Sequence, residues 1–277
     1  MIKSFSKINL FLKVLKKNKK NLHNIQSNTI LINLYDEIRI QKINKNKDQI
    51  NFIGRFKKDI YKKDNSIIKA LDLLRKNKLI HKKHRYKITI NKKIPVFSGL
   101  GGGTSNAFFL INYFLKGRFN QKLIQVFEKK IGSDFRLFFF KNSIQKNLKN
   151  IIQLNSKKNF FFTLVYPNFK CSTKKVYSKV KKYSSPISFS KINSDHKYLE
   201  FLKNQNNDLQ AIVENKYPKI RKLLIEIRNQ KKCIFSRMTG SGSACFGLFT
   251  TKKSADFALI NVKKKFPSYF CTSVKNT

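Results

Sequence analysis

The sequence predicts an α+β chain of two domains, residues 1–152 and 153–277, and three observations predict it. In the middle of the chain, an alternating apolar run, a glycine-rich segment and a long apolar run follow one another as strand, loop and helix. On either side, short alternating segments are interspersed with segments whose apolar residues recur at helical spacing. Residues 141–158 are polar, asparagine-rich and without a period, as a junction between domains would be. With 277 residues, 41% of them hydrophobic, the chain is long enough for two buried cores.

Ile8, Leu10, Leu12 and Val14 alternate with Lys7, Asn9, Phe11 and Lys13, so an opening strand carries Lys7 and Asn9 side by side on one face. Residues 16–24 are polar and read as a loop ending near His23. Residues 29–43 read as a second extended run, holding the acidic pair Asp36 and Glu37, and residues 49–54 as a third. Over 64–77, Ile67, Ile68, Leu71 and Leu74 stand at helical spacing behind Asp64 or Asn65 as N-cap. Tyr86, Ile88 and Ile90 mark the central strand, and residues 107–115 (AFFLINYFL) the buried helix beyond the glycines. An amphipathic helix over 121–131 stops at Gly132. After the junction come a strand over 160–165, ending at Pro167, a helix over 173–182, and a serine-rich linker over 183–193. Helical patterns follow at 196–203 and 208–229, the second broken at Pro218. A strand at 234–238, a second glycine loop (TGSGSA, 239–244), a strand at 245–249, a helix at 252–265 and a strand at 269–274 complete the order.

The central segment, PVFSGLGGGTSN at 95–106, holds four of the ten glycines within five residues. Gly99, Gly101, Gly102 and Gly103 are free to take positive φ and to let the backbone approach a ligand, and Thr104 or Ser105 can N-cap the helix. Unpaired N–H groups at such a helix start favour an anion, which points to phosphate. A P-loop is excluded because no Lys precedes Thr104 or Ser105. The dinucleotide fingerprint is excluded because glycine is missing at Thr104 and at Asn106. A plain flexible turn is the alternative. Asp134, between Gly132-Ser133 and an apolar run, is one of only 14 acidic residues; a turn-capping role and a proton-transfer role both fit it.

Sixty basic residues against 14 acidic ones give a net charge of +46, which first suggests nucleic acid or an anionic membrane. The lysines come as scattered pairs, such as Lys92-Lys93 and Lys181-Lys182, instead of one tail or stripe, so a solvated surface with no specific nucleic-acid site is expected. Cys171, Cys233, Cys245 and Cys271 lack metal-binding or redox spacing and read as reduced thiols. Lys7, Asn9 and Lys13 interrupt the first apolar run, and no segment has the roughly 18 uncharged apolar residues of a membrane span. A soluble cytoplasmic protein, without a membrane partner, is the expectation.

The motifs SKINLFLKV (residues 6–14), NLH (21–23), DNSIIKALDLL (64–74), IPVFSGLGGGTSNA (94–107), IGSDF (131–135), VYPNFKCSTKKVY (165–177), NDLQ (207–210) and RMTGSGSACFGLF (237–249) occur in an order that resembles the GHMP kinase superfamily over nearly the whole length. Within it the chain is most similar to the branch that phosphorylates the 2-hydroxyl of a cytidine-diphosphate-linked methylerythritol on the non-mevalonate route to isoprenoids. The resemblance implies an N-terminal nucleotide-binding domain of βαβ type and a ferredoxin-like C-terminal domain. It implies ATP and Mg²⁺ as cofactors, with Lys7 and Asp134 as catalytic pair. It assigns Pro95, Val96, Phe97, Ser98, Gly99, Leu100, Gly101, Gly102, Gly103, Thr104 and Ser105 to the ATP phosphates and Asn65 to the adenine side. Asn9, His23, Thr173, Tyr177, Gly240 and Gly242 fall on the substrate side, with His23 and Tyr177 at the cytosine. No metal ligand is implied among the side chains, and a monomer or weak homodimer is expected. The chain departs from the family pattern at Asn21 and Leu22 (Gly-Tyr), Tyr166 (His), Gln210 (Glu), Arg136 (Pro) and Lys141-Asn142 (Gly-Gly). Two other readings stand beside this one: another small-molecule kinase of the superfamily, of homoserine or mevalonate type, and a catalytically idle homologue that binds nucleic acid through its basic surface.

Overall fold

The structure, a computed structural model, describes residues 1–18, 23–61, 65–155, 158–189 and 195–277; Asn21, Leu22 and Asp64 lie outside them. The chain divides into two compact units, neither of them a single stretch of sequence. Unit 1 comprises Met1–Ser6, Leu34–Val96 and Gly101–Phe139; unit 2 comprises Lys7–Asn33, Phe97–Leu100 and Phe140–Thr277. The long strands β1 (Ile2–Lys17) and β2 (His23–Ile43) each contribute residues to both.

In unit 1, β3 (Gln49–Ile53), α1 (Ser66–Lys76) and β4 (Arg85–Asn91) form a parallel βαβ unit, and β4 pairs antiparallel with Glu37–Ile43 of β2. The alternation of Tyr86, Ile88 and Ile90 buries that face of β4. Helix α1 starts at Asn65, whose Oδ1 accepts from the backbone N–H of Ile67 (3.0 Å) and Ile68 (3.1 Å), and it buries Ile67, Ala70, Leu71 and Leu74. Helix α2 (Gly102–Leu115) begins five residues before the expected start, because the last two glycines of the run are its first turn. Helix α3 (Gln121–Ile131) ends at Gly132 as expected, and Ser133–Phe139 continues as a 3₁₀ helix. The interior is rich in phenylalanine: the Phe108 ring packs edge-on against Phe135 (5.2 Å) and Phe139 (4.8 Å).

In unit 2, β7 (Phe161–Tyr166), β8 (Phe235–Met238), β9 (Cys245–Phe249) and β10 (Phe270–Lys275) make an antiparallel sheet in the order β10-β7-β9-β8. With α7 (Lys219–Arg228) between the first and second strands and α8 (Lys252–Lys265) between the third and fourth, this is the ferredoxin-like arrangement. Leu223, Ile227, Ala255, Ala258 and Val262 of the two helices close one core with Val165, Cys245 and Phe249, joined by Leu12 and Val14 of β1.

Two expectations for this unit are corrected. The polar stretch 141–158 contains β5 (Asn142–Gln145) and β6 (Ile151–Gln153), with β5 paired to Ser27–Ile30 of β2. Its polar residues find partners elsewhere in the chain: Asn28 Nδ2 donates to Asn142 Oδ1 (2.8 Å) and to the Ser143 carbonyl (2.9 Å), while the Tyr198 hydroxyl donates to Asn28 Oδ1 (2.6 Å). A hydrophobic period could not announce strands built this way. The helix expected over 173–182 is the short α4 (Thr173–Tyr177), which has only Val176 to bury and no apolar stripe to prolong it. The pattern over 196–203 and 208–229 resolves into α5 (Asp195–Lys203), α6 (Gln210–Lys216) and α7, with Pro218 as N-cap of α7.

Candidate active site

In unit 1 the glycine run opens α2 through Gly101, which sits at the N-cap with φ 72° and no side-chain cap. This corrects the expected cap at Thr104 or Ser105. Positive φ occurs at Gly99 (80°) and Gly101 but not at Gly102 or Gly103, whose backbone is already helical. A Cβ on Gly102 would lie 3.0 Å from Ile94 Cγ2, whereas one on Gly103 would meet nothing nearer than Ser66 Oγ at 3.8 Å. The helix start is therefore open at Gly103, and the first-turn N–H groups lack intrahelical acceptors. Ser105 is turned inward instead: its N–H donates to the Gly101 carbonyl (2.9 Å) and its hydroxyl to the Phe5 carbonyl (2.5 Å).

The approach to the loop is fixed by a buried polar network that sequence reasoning missed. Asp36 Oδ1 accepts from the backbone N–H of Lys93 (2.7 Å) and Ile94 (2.9 Å), the residues just before Pro95. Its Oδ2 accepts from the Lys92 ammonium and from Asn106 Nδ2 (3.0 Å). Lys92 also donates to Asn106 Oδ1 (2.9 Å), and Ser4 Oγ lies 2.7 Å from Ser105 Oγ. One carboxylate thus joins β2, the end of β4 and the first turns of α2. Its signal was an aspartate inside an otherwise extended run, in a chain with few acids.

Asp134 is half-buried near the start of the 3₁₀ helix. A Cβ on Gly132 would come within 3.2 Å of Thr104 Oγ1, so the turn that carries Asp134 abuts the first turn of α2. Pro95, Val96 and Asn65 also belong to unit 1, with Asn65 engaged as the α1 cap.

In unit 2, Lys7 and Asn9 are both buried on β1, and the Lys7 ammonium donates to Asn9 Oδ1, the adjacency that the strand alternation predicts. Asn9 Nδ2 donates to Ser27 Oγ (2.8 Å) and Thr29 Oγ1 (3.1 Å), and Asn9 N–H to Thr239 Oγ1 (2.9 Å). The loop residues Phe97, Ser98 and Leu100 are tied here through their carbonyls, which accept from the N–H groups of Cys171 (Phe97, 3.3 Å), Ala244 (Ser98, 3.0 Å) and Lys7 (Leu100, 3.1 Å). The second glycine loop lies against the first: a Cβ on Gly99 would stand 2.3 Å from the Thr239 carbonyl oxygen and 3.0 Å from Gly242 N, and one on Gly240 would stand 3.2 Å from Lys7 Nζ. Asn207, another residue that sequence reasoning left without a role, donates to the carbonyls of Met238 and Gly240, both at 2.8 Å. Lys7, Asn9, Gly99, Gly240 and Gly242 are thus brought together.

Thr173 Oγ1 is 2.9 Å from Ser241 Oγ, which ties α4 to the second glycine loop. At the other end of α4 the Tyr177 ring lies 5.5 Å from the His23 ring, tilted by 36°, and Tyr183 flanks His23 at 5.8 Å. Among the described residues, His23 Nδ1 is buried without a hydrogen-bond partner. Burial, and then the charge of Lys17, hold the imidazole below its ordinary pKa, against a backbone hydrogen bond at Tyr177 that acts the other way. Burial also pushes the thiols of Cys171 and Cys233 up to about 11, so both stay protonated packing groups. Among the described residues there is no cluster of three or more His, Cys, Asp or Glu side chains, and no helix is long and apolar enough to cross a membrane.

Residues 65–135 match the GHMP kinases N terminal domain and residues 192–268 the GHMP kinases C terminal. The chain is similar to a 4-diphosphocytidyl-2-C-methyl-D-erythritol kinase of Pelagibacter ubique (strain HTCC1062), with 38% identity over 99% of this chain and 98% of that protein. It is 31% identical to the kinase of the same name from Wolbachia pipientis wMel, over 97% of this chain and 96% of the relative. A crystal structure of 4-(cytidine 5'-diphospho)-2C-methyl-D-erythritol kinase superposes with a TM-score of 0.76, covering 98% of both chains at 19% identity.

Proposed function

The chain belongs to the GHMP kinases and, within them, to the 4-diphosphocytidyl-2-C-methyl-D-erythritol kinase family, and on that premise we propose that it transfers the terminal phosphoryl group of ATP to the 2-hydroxyl of that alcohol, a step in isoprenoid precursor synthesis. The observation that carries this reading is the 38% identity to the Pelagibacter enzyme from end to end. The reaction is ATP-dependent phosphotransfer to an alcohol, and the protein acts as a cytoplasmic enzyme, monomeric or weakly dimeric.

Phosphoryl transfer asks for positioning and charge neutralisation more than for covalent chemistry. We assign the ATP phosphates to residues 95–105, with the open helix start at Gly103 in support, and the adenine side to Asn65. Nucleotide handling falls to 1–152 and the rest of the substrate side to 153–277, with Asn9 and His23 contributed by the first strands. Asp134 takes the proton of the acceptor hydroxyl, because an alcohol is a poor nucleophile until a base is placed on it. Lys7 stabilises the developing charge, its ammonium held by Asn9. Mg²⁺ would supply charge neutralisation at the phosphates. It usually keeps waters and phosphate oxygens with one or two protein ligands, and the Thr104 hydroxyl at the start of α2 suits that role. His23 and the Tyr177 ring, 5.5 Å apart, hold the cytosine, with Tyr177 offering a stacking face; Thr173, Gly240 and Gly242 shape the remaining wall.

The test is transfer of phosphate from ATP to a panel containing the cytidine-diphosphate alcohol, homoserine and mevalonate. Turnover confined to the first is expected; preferential turnover of either of the others would overturn the assignment.

A further inference from the structure

We propose that unit 2 carries a second small-molecule site, separate from the residues assigned to substrate, which takes an amphiphilic anion: a short aliphatic chain ending in a carboxylate or a phosphate. A cavity of 310 Å³ lies between the segment 170–179 and helix α6. That volume is within the range of small-molecule sites, about 300–1,000 Å³. None of Asn9, His23, Thr173, Tyr177, Gly240 or Gly242 lines it.

Its floor is apolar. Cys171, Val176 and Val213 are buried there as the outer side of the unit's main core, and Tyr217 forms a wall, its ring stacked on Phe169 at 4.8 Å and 2°. The Cys171 thiol, pushed up to about 11 by burial, is a neutral surface and not a nucleophile. The rim is cationic. Lys170, Lys175, Lys179 and Lys216 line the opening, and no carboxylate does. The nearest acid on α6, Glu214, is held by Gln210 Nε2 at 2.8 Å. Lys216 is itself placed over the Tyr217 ring, 5.0 Å from its centre, so one ammonium stands directly at the apolar wall.

Lysine is common over this whole surface, and four lysines alone would carry nothing. The inference rests on their position: all four ring a concavity whose bottom is uncharged and whose lining offers no acid. Like charges gathered at a low-dielectric mouth raise the local potential for an anion, and the apolar floor rewards a chain attached to it. A free inorganic anion would leave that floor uncovered, and a neutral lipid would not answer the charge of the rim. Helix α4 is common to this cavity, through Lys175 and Val176, and to the His23–Tyr177 pair.

Isothermal titration of the full chain with octanoate, octyl phosphate and octanol tests this. One saturable site is expected for octanoate or octyl phosphate, the tighter of the two identifying the head group, with octanol at least about tenfold weaker. The exposed pair Lys175→Glu/Lys216→Glu should weaken the anion by about tenfold or more, while Lys263→Glu/Lys264→Glu, which removes the same charge outside the lining, should leave it within about twofold. Absence of binding for both anions, equal weakening in the two double variants, or octanol binding as tightly as octanoate would each overturn the proposal.

Discussion

The Asp36 carboxylate and the Lys92 ammonium meet in the interior of unit 1, 0% and 3% exposed, and the same carboxylate receives the two backbone N–H groups that lead into the glycine loop. Removing one partner of a buried pair leaves an uncompensated charge. Lys92→Met is therefore expected to lower unfolding stability by about 3–5 kcal/mol, measured by urea denaturation. A loss under about 1 kcal/mol would mean that the pair is solvated after all.

Asp134→Asn keeps the size of the side chain and an oxygen for capping, but removes the proton acceptor. Turnover should fall roughly 10²- to 10⁴-fold with ATP affinity little changed. Near-normal turnover would reduce Asp134 to a turn residue.

Two glycine substitutions separate architecture from ligand contact. Gly99→Ala drives a Cβ to 2.3 Å from a backbone carbonyl at φ 80°, so thermal unfolding should reveal a destabilised chain. Gly103→Ala places its Cβ in open space within a helix, so stability should hold or rise slightly. Nucleotide affinity, measured by titration, should nonetheless fall in Gly103→Ala. Unchanged affinity there would remove the phosphate cradle from that helix start.

The lowered pKa of His23 has a definite sign. Because the folded chain disfavours the imidazolium, the stability it contributes is complete above the ordinary value near 6.5 and is lost as pH falls through that value toward the lowered one. An NMR titration should place the His23 midpoint below 6.5, and Lys17→Gln should move it upward by removing one of the two causes. A midpoint above 6.5 would contradict the burial of this ring.

What could be read from the sequence was what depends on period and spacing. The α1 cap at Asn65, the stop at Gly132 and the adjacency of Lys7 and Asn9 each follow from a local rule and stand in the structure. The failures share a cause as well. Strand β5 can be polar because Asn28, Asn142 and Tyr198 satisfy one another across the chain, and no window of sequence contains that partnership; β6, at three residues, is too short to show a period. Glycines 102 and 103 read as loop because glycine can take positive φ and admit a ligand to the backbone, yet here they are helical, at a helix start against Ile94. Asp36 and Asn207 act through main-chain groups distant in sequence, so composition could flag Asp36 as unusual without giving it a task.

The passage of β1 and β2 through both units sets a timetable for synthesis on the ribosome. All of unit 1 has been made once Phe139 has been added, but Lys7–Asn33, made near the start, has its remaining unit 2 partners mostly after Phe140. Translation at roughly 5–20 residues per second leaves about 5–20 s between those strand segments and the first of these partners. Through that interval Ile8, Leu10, Leu12 and Val14, all destined for the interior, have no finished core to enter, and they are the surface that a nascent-chain chaperone would meet first.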